Sequence, residues 1–382
     1  MRDLFLLDPD LVFLNHGSFG ACPKEVLEAQ HDWQRRMERS PVAFLARESA
    51  QLLSEARDAL GRFVGASGAD LVFVPNSTTG VNIVARSLAL RQGDEVLTTD
   101  LEYGACDATW MRVCAESGAH YRRIEIPLPF EPGKIVERLM SAVTPRTRLV
   151  YLSHITSTTA LTLPVAQICA AARSRGVAVL VDGAHAPGQV ELSIDAIDAD
   201  FYVGNCHKWM CAPKGSAFLH ARPDRQDGLH ATVTSWGYAE DSGGHSGFDA
   251  YLGQTEFERR LQWQGTRDIS PWLAVPAAID FQKRHDWPAV RERCHAMARE
   301  ALDALTQRHG LSPIAHDEDW AQMVAIPVPP QDPETLRLRL YDENRIEIPV
   351  TTHAGRTFVR LSVQGYNTED DIARLLDARA LR

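Results

Sequence analysis

Val179-Leu180-Val181-Asp182-Gly183-Ala184-His185 and Gly204-Asn205-Cys206-His207-Lys208-Trp209 decide the reading of this chain, with Lys208 lying 26 residues after Asp182. The first is an apolar run that ends in an acid, and the second follows a short apolar run and ends in an amine. Taken singly, Asp182 is a strand-end cap and Lys208 a surface lysine whose stem packs on Trp209. Taken together at two strand ends, they present a carboxylate and an amine to one crevice. Outward from this pair, Leu71-Val74, Glu95-Thr98, Tyr121-Ile126, Arg148-Ser153, Val177-Val181, Asp200-Val203 and Ser216-His220 read as strands. Between them, Gly80-Leu90, Tyr103-Ser117, Val136-Val143 and Leu163-Arg175 carry apolar residues at helical spacing. That alternation predicts parallel strands joined by crossover helices, hence a three-layer α/β/α core with its crevice beyond the carboxyl ends of the strands. Asp182, Lys208 and the Ser77-Thr78 turn all fall just after strand ends.

From about residue 270 the pattern changes to two helices, Trp272-Arg284 and Pro288-Arg308. Strands near Met323-Val328, Arg345-Pro349 and Thr357-Ser362 follow, then a helix from Thr368. The expected organisation is an N-terminal segment 1–20 that contributes to the site, a large domain 21–265 and a smaller C-terminal α+β domain 266–382. The chain of 382 residues is 45% hydrophobic and 24% charged, long enough for one large core and a smaller one. Its net charge of −10 and the lack of a dense basic run argue against a nucleic-acid partner. Asp8 and Asp10 interrupt Leu4-Phe5-Leu6-Leu7 before a signal region forms, and no stretch has membrane-spanning length. Seven scattered cysteines fit reduced thiols, so the expected compartment is cytoplasmic. No CxxC pair or HExxH supports a metal site, and no GxGxxG or P-loop supports a dinucleotide or nucleoside triphosphate.

An acid and an amine facing one aromatic ring is what pyridoxal 5'-phosphate (PLP) requires. The lysine forms a Schiff base with the aldehyde, and the carboxylate keeps the ring nitrogen protonated so that the ring can absorb a carbanion's electrons. Asn76-Ser77-Thr78-Thr79-Gly80 follows a strand and opens a helix, so its N–H groups and hydroxyls suit a phosphate. The alternative for that stretch is a simple Ser/Thr N-cap.

These residues, with Leu14-Asn15-His16-Gly17-Ser18-Phe19-Gly20, Ser235-Trp236-Gly237, Gln264-Gly265-Thr266-Arg267-Asp268 and Arg360-Leu361-Ser362-Val363-Gln364-Gly365-Tyr366-Asn367, resemble the class V aminotransferase group of fold type I PLP enzymes. Within it they look most like the isopenicillin N epimerase-like branch. The resemblance implies that Ser77, Thr78, Asn205 and His207 meet the cofactor phosphate, although many relatives have a hydroxyl residue where Asn205 stands. It implies that Tyr103 stacks on the pyridine ring and that Ser157 and His185 approach its phenolic oxygen. Arg360 matches the carboxylate-binding arginine, with Asn15 beside the substrate. Thr266 matches a residue that reaches the phosphate of a neighbouring subunit, which implies a homodimer. Desulfurases of the group use a cysteine before the arginine strand, whereas Ile348-Pro349-Val350-Thr351-Thr352-His353-Ala354-Gly355-Arg356 has none, so persulfide chemistry of that type is not expected.

The expected substrate is a small amino-acid-type molecule that reacts at Cα. Epimerisation or racemisation is the first reading, with Lys208 taking the Cα proton and Tyr103 or a residue of Asn15-Ser18 serving the opposite face. C–S lysis of a cysteine conjugate and transamination are the alternatives. A binding module without catalysis has no need of the acid that makes the ring an electron sink.

Overall fold

The computed structural model describes residues 1–238 and 252–382. Its centre is a sheet of seven strands: β1 (Leu71–Val74), β2 (Glu95–Thr99), β3 (His120–Ile124), β4 (Thr147–Ser153), β5 (Ala178–Gly183), β6 (Phe201–Asn205) and β7 (Ala217–Ala221). They lie in the order β1-β7-β6-β5-β4-β2-β3. Strands β2 to β6 pair in parallel, and β7 runs antiparallel to both β1 and β6. Every residue of β1, β2, β6 and β7 is buried, as expected for a sheet covered on both faces.

Residue alternation assigns the two faces. Val72, Val96, Leu149, Tyr151, Leu180 and Val203 pack with Val81, Ile83, Cys106 and Trp110 of the helices Ser77–Ser87 and Gly104–Ser117. Leu71, Phe73, Val150, Leu152, Val179 and Val181 pack on the other side with Ile135, Leu139 and Ile168 of Pro132–Ala142 and Val165–Arg173. Burial of each such side chain contributes roughly 1.5–3 kcal/mol, so the period-2 pattern fixes which side of the sheet each helix covers.

The antiparallel β7 departs from the all-parallel expectation, and chain length explains it. Only residues 206–216 join β6 to β7, fewer than a crossover helix needs. The chain therefore turns back at the sheet end, and this short return carries Lys208.

The C-terminal part forms an antiparallel sheet of β8 (Met323–Val328), β9 (Val350–His353) and β10 (Arg356–Ser362), in the order β9-β10-β8, with the helix Trp287–His309 packed on β8. The strand expected at Arg345-Pro349 is only Ile346–Glu347, and it pairs in parallel with Val12–Phe13 instead of joining this sheet. The third strand is β9, turned into β10 through Ala354 and Gly355, both at positive φ, a two-residue hairpin. Ser362 N–H donates to Leu14 O at 3.0 Å, so the N-terminal segment runs on beside β10. Gly20 then lies against the lysine turn: a Cβ there would sit 2.6 Å from His207 O and 3.1 Å from Lys208 Cα, and its φ of +65° also favours glycine.

Candidate active site

At the carboxyl ends of β4, β5 and β6 lies a cavity of about 370 Å³, whose lining includes Ser77, Thr78, Tyr103, Ser157, Asp182, His185, Asn205, His207 and Lys208. Nine residues singled out in the sequence thus meet in one place. A larger groove of about 740 Å³ beside Trp287 shares no lining residue with it.

The sheet register aligns the floor of the cavity. Ser153 pairs with Asp182, and Asp182 with Val203 on the next strand. Asp182 Oδ1 accepts from Ala184 N at 3.0 Å, while Oδ2 takes the Tyr151 hydroxyl at 3.1 Å and faces the Cys106 thiol at 3.6 Å. Burial pushes this carboxyl above its ordinary range, against those donors and the Lys208 charge. It is a buried acid short of a cation, and a protonated ring nitrogen is a cation of the right kind. Burial of Lys208 Nζ, with the Arg360 charge nearby, lowers that amine from 10.5 to about 7 although Asp182 and Cys106 work in the other direction. Its Nζ lies 3.0 Å from His185 Nε2.

The helix Ser77–Ser87 points its N-terminus into the cavity. Asn76 caps it by accepting from Thr79 N at 2.8 Å, and Asn205 Oδ1 accepts from Ser77 N at 2.8 Å. Asn205 thus organises the turn from the lysine side. Ser77 Oγ is buried without a partner among the described residues, an acceptor-seeking hydroxyl where a phosphate oxygen is expected. His207 gives Nδ1–H to Ser216 O at 2.7 Å, so its Nε2 carries a proton only in the charged ring, and burial lowers that pKa to about 4. These groups fit PLP: a phosphate cradle at Ser77 and Thr78, an acid for the ring nitrogen at Asp182, and an amine for the aldehyde at Lys208.

Arg360, from the middle of β10, is only 5% exposed. Its Nη1 donates to Ser157 O at 2.7 Å, and its Nη2 to Ser18 Oγ at 2.9 Å and Asn15 Oδ1 at 3.5 Å. Its Nε is buried without a partner among the described residues, and burial lowers the guanidinium to about 10. A buried arginine whose side-chain partners are neutral oxygens is suited to pair with a carboxylate. Asn15 and Ser157 therefore meet the arginine directly. Tyr103 caps the helix Gly104–Ser117 and is 47% exposed at the cavity wall. Thr266 is exposed and does not line the cavity of its own chain. His154 is bound to Tyr202 through Nδ1 at 2.9 Å and is a structural side chain.

The sequence reading missed the supporting groups. Glu102, beside Tyr103, accepts from Ser153 N and Oγ at 2.7 Å and from Thr99 Oγ1 at 2.6 Å, and burial raises it to about 8 with Asp182 adding to the effect. Tyr151 belongs to this set as well. Its contact crosses from β4 to β5, which no sequence spacing reveals.

Residues 13–375 match the family described as Aminotransferase class-V, and the chain belongs to that family, whose members are PLP-dependent enzymes. Among its relatives, the isopenicillin N epimerase of Streptomyces clavuligerus is 40% identical over 383 residues, covering 99% of this chain and 96% of that one. A probable chloroplastic L-cysteine desulfhydrase of Arabidopsis thaliana is 30% identical, over 97% of this chain and 82% of that one. The complex between the cystine C–S lyase C-DES and its reaction product cysteine persulfide has a TM-score of 0.84 and 26% identity, with 98% of each chain covered. Fold and family agree with the expected fold type I architecture.

Proposed function

We propose that this chain is a PLP-dependent epimerase or racemase acting at Cα of an amino acid or amino-acid-derived substrate, like the isopenicillin N epimerases it resembles over almost its whole length. The observation that carries the reading is that Asp182 and Lys208 line one cavity with Ser18 and Ser157, which both accept from the buried Arg360. When bound, PLP supplies an electron sink for a carbanion at Cα. Ser77 and Thr78 hold the phosphate, with Asn205 fixing their turn and His207 beside them. Asp182 would keep the ring nitrogen protonated. Tyr103 would cover one face of the bound ring, and His185 and Ser157 would serve its phenolic oxygen.

Arg360 pairs with the substrate carboxylate, displacing the hydroxyl of Ser18, while Asn15 keeps the guanidinium oriented. A carboxylate held in two-pronged fashion fixes the direction of the Cα–H bond. The Lys208 amine, with a pKa near 7, can both take and return a proton near neutral pH. The Tyr103 hydroxyl is the candidate acid for the opposite face. The protein works as a cytoplasmic homodimer in which Thr266 reaches the phosphate of the neighbouring subunit. All seven cysteines are unpaired and buried, which suits a reducing compartment.

A second reading, C–S lysis, is favoured by the likeness to the cystine lyase and the desulfhydrases. Incubation of a panel of amino acids and cysteine conjugates in heavy water separates the two. Epimerisation predicts deuterium at Cα and the opposite enantiomer, with no keto acid and no ammonia. Release of an α-keto acid with ammonia, and no opposite enantiomer from any substrate, would sink the epimerase assignment in favour of the lyase.

A further inference from the structure

We infer that Trp209 is a positioning residue that locks the tautomer of His185 and thereby keeps the Lys208 amine in its proton-free form. Trp209 is fully buried, directly after the lysine. Its indole N–H is a donor with no acceptor capacity. That N–H lies 3.2 Å from His185 Nδ1 and is directed to it. Nδ1 must then hold a lone pair, which places the proton of the neutral ring on Nε2.

Nε2 is the atom that faces Lys208 Nζ at 3.0 Å. A ring N–H and an ammonium are both donors and cannot share that contact. The distance is satisfied when Nε2–H donates to an amine with a free lone pair. Burial above all disfavours a charged His185 ring, and the Arg360 guanidinium nearby works in the same direction. Around Lys208, burial and then Arg360 work against the ammonium, whereas Asp182 and Cys106 favour it. The neutral pairing therefore follows from two directed contacts in a row, Trp209 to His185 and His185 to Lys208.

The lock is rigidly mounted. Trp209 O accepts from Gln282 Nε2 at 2.8 Å, and a Cβ on Gly188 would lie 2.5 Å from the same carbonyl. The indole also packs against the His16 ring, with centroids 5.1 Å apart. A purely packing role is the competing account, and it predicts that phenylalanine serves as well.

In the Trp209→Phe variant Nδ1 is free to take the proton. Nε2 then becomes an acceptor that stabilises the Lys208 ammonium, so the amine titrates at higher pH. The inference gives Trp209 its purpose through the proposed role of Lys208, but its readouts stand apart from that role. The full-length chain freed of cofactor is labelled with ¹⁵N-histidine, and the Lys208 amine is titrated by its rate of acylation, read by peptide mass. In the wild type, His185 Nδ1 should show the shift of an unprotonated ring nitrogen and Lys208 a midpoint near 7. Trp209→Phe should move that midpoint up by about one unit, a roughly tenfold loss of reactive amine below it. The same change should have no further effect in a His185→Leu background. A protonated Nδ1 in the wild type, an unmoved midpoint in Trp209→Phe, or a shift that survives His185→Leu would each overturn the inference. If Trp209→Phe does not fold, the wild-type ¹⁵N measurement decides alone.

Discussion

Arg360 shows how one residue acquires a function from its surroundings. A guanidinium on an exposed strand is a solvated charge, but on β10 it is enclosed by the Ser157 carbonyl, the Ser18 hydroxyl and the Asn15 side chain. None of these is charged, so burial is compensated only in part until a carboxylate arrives. Arg360→Leu should weaken substrate binding by about 2–5 kcal/mol while cofactor affinity stays unchanged, which equilibrium titrations with substrate and with PLP would measure separately. Equal substrate affinity in the variant would move the carboxylate elsewhere. The alternatives, Arg267 and Arg356, lie over the rings of Trp272 at 4.3 Å and Phe358 at 5.7 Å. The role of Arg360 was open to sequence reading only through its motif, because two of its partners lie about 345 residues away at the N-terminus and folding alone brings them together.

At the scale of elements, the strand ends made the site legible. Leu71–Val74 and Met323–Val328 form as the apolar runs indicate, and Asp182 and Lys208 fall just beyond or at the end of their strands as expected. Less legible were the helices Lys24–Arg39, Ser49–Val64 and Pro333–Asn344, to which the pattern reading gave no assignment. Lys24–Arg39 is rich in charge, and its narrow apolar stripe of buried Val26 and half-buried Leu27, Trp33 and Met37 is completed by packing against Ser270–Leu273 and Val275–Arg284. The phosphate helix depends on a close approach of a different kind. A Cβ on Gly80 would lie 2.6 Å from Val203 Cγ1 of β6, so only glycine lets the helix N-terminus seat on the sheet. Gly80→Ala should therefore lift Ser77 and Thr78 away from the cavity and reduce PLP affinity by roughly tenfold or more, given 1–3 kcal/mol for overpacking. Adding Val203→Ala should recover part of the loss, whereas no recovery in the double variant, with PLP affinity read by fluorescence titration, would argue against this steric account.

Across the whole molecule, the N-terminal segment is what ties the two sheets into one site. Asn15 and Ser18 touch Arg360 on β10, and His16 Nε2 lies 3.0 Å from Lys208 O on the turn beyond β6. The residues proposed for substrate anchoring and proton transfer are thus held by the same six-residue stretch, Asn15–Gly20. The composition carried none of this; it argued only against a basic nucleic-acid binder and left the positive work to motifs. Everything proposed for the site turns on Lys208 carrying the cofactor, and the chain makes that easy to test because it has only five lysines. Lys24, Lys134 and Lys283 are exposed, and Lys214 donates to Gly20 O, so Lys208 is the one lysine that lines the cavity. The purified protein, reduced with borohydride and mapped by peptide mass spectrometry, should carry the cofactor mass on Lys208 and on no other lysine. The label on any of the other four, or no label on a protein saturated with PLP, would contradict the assignment.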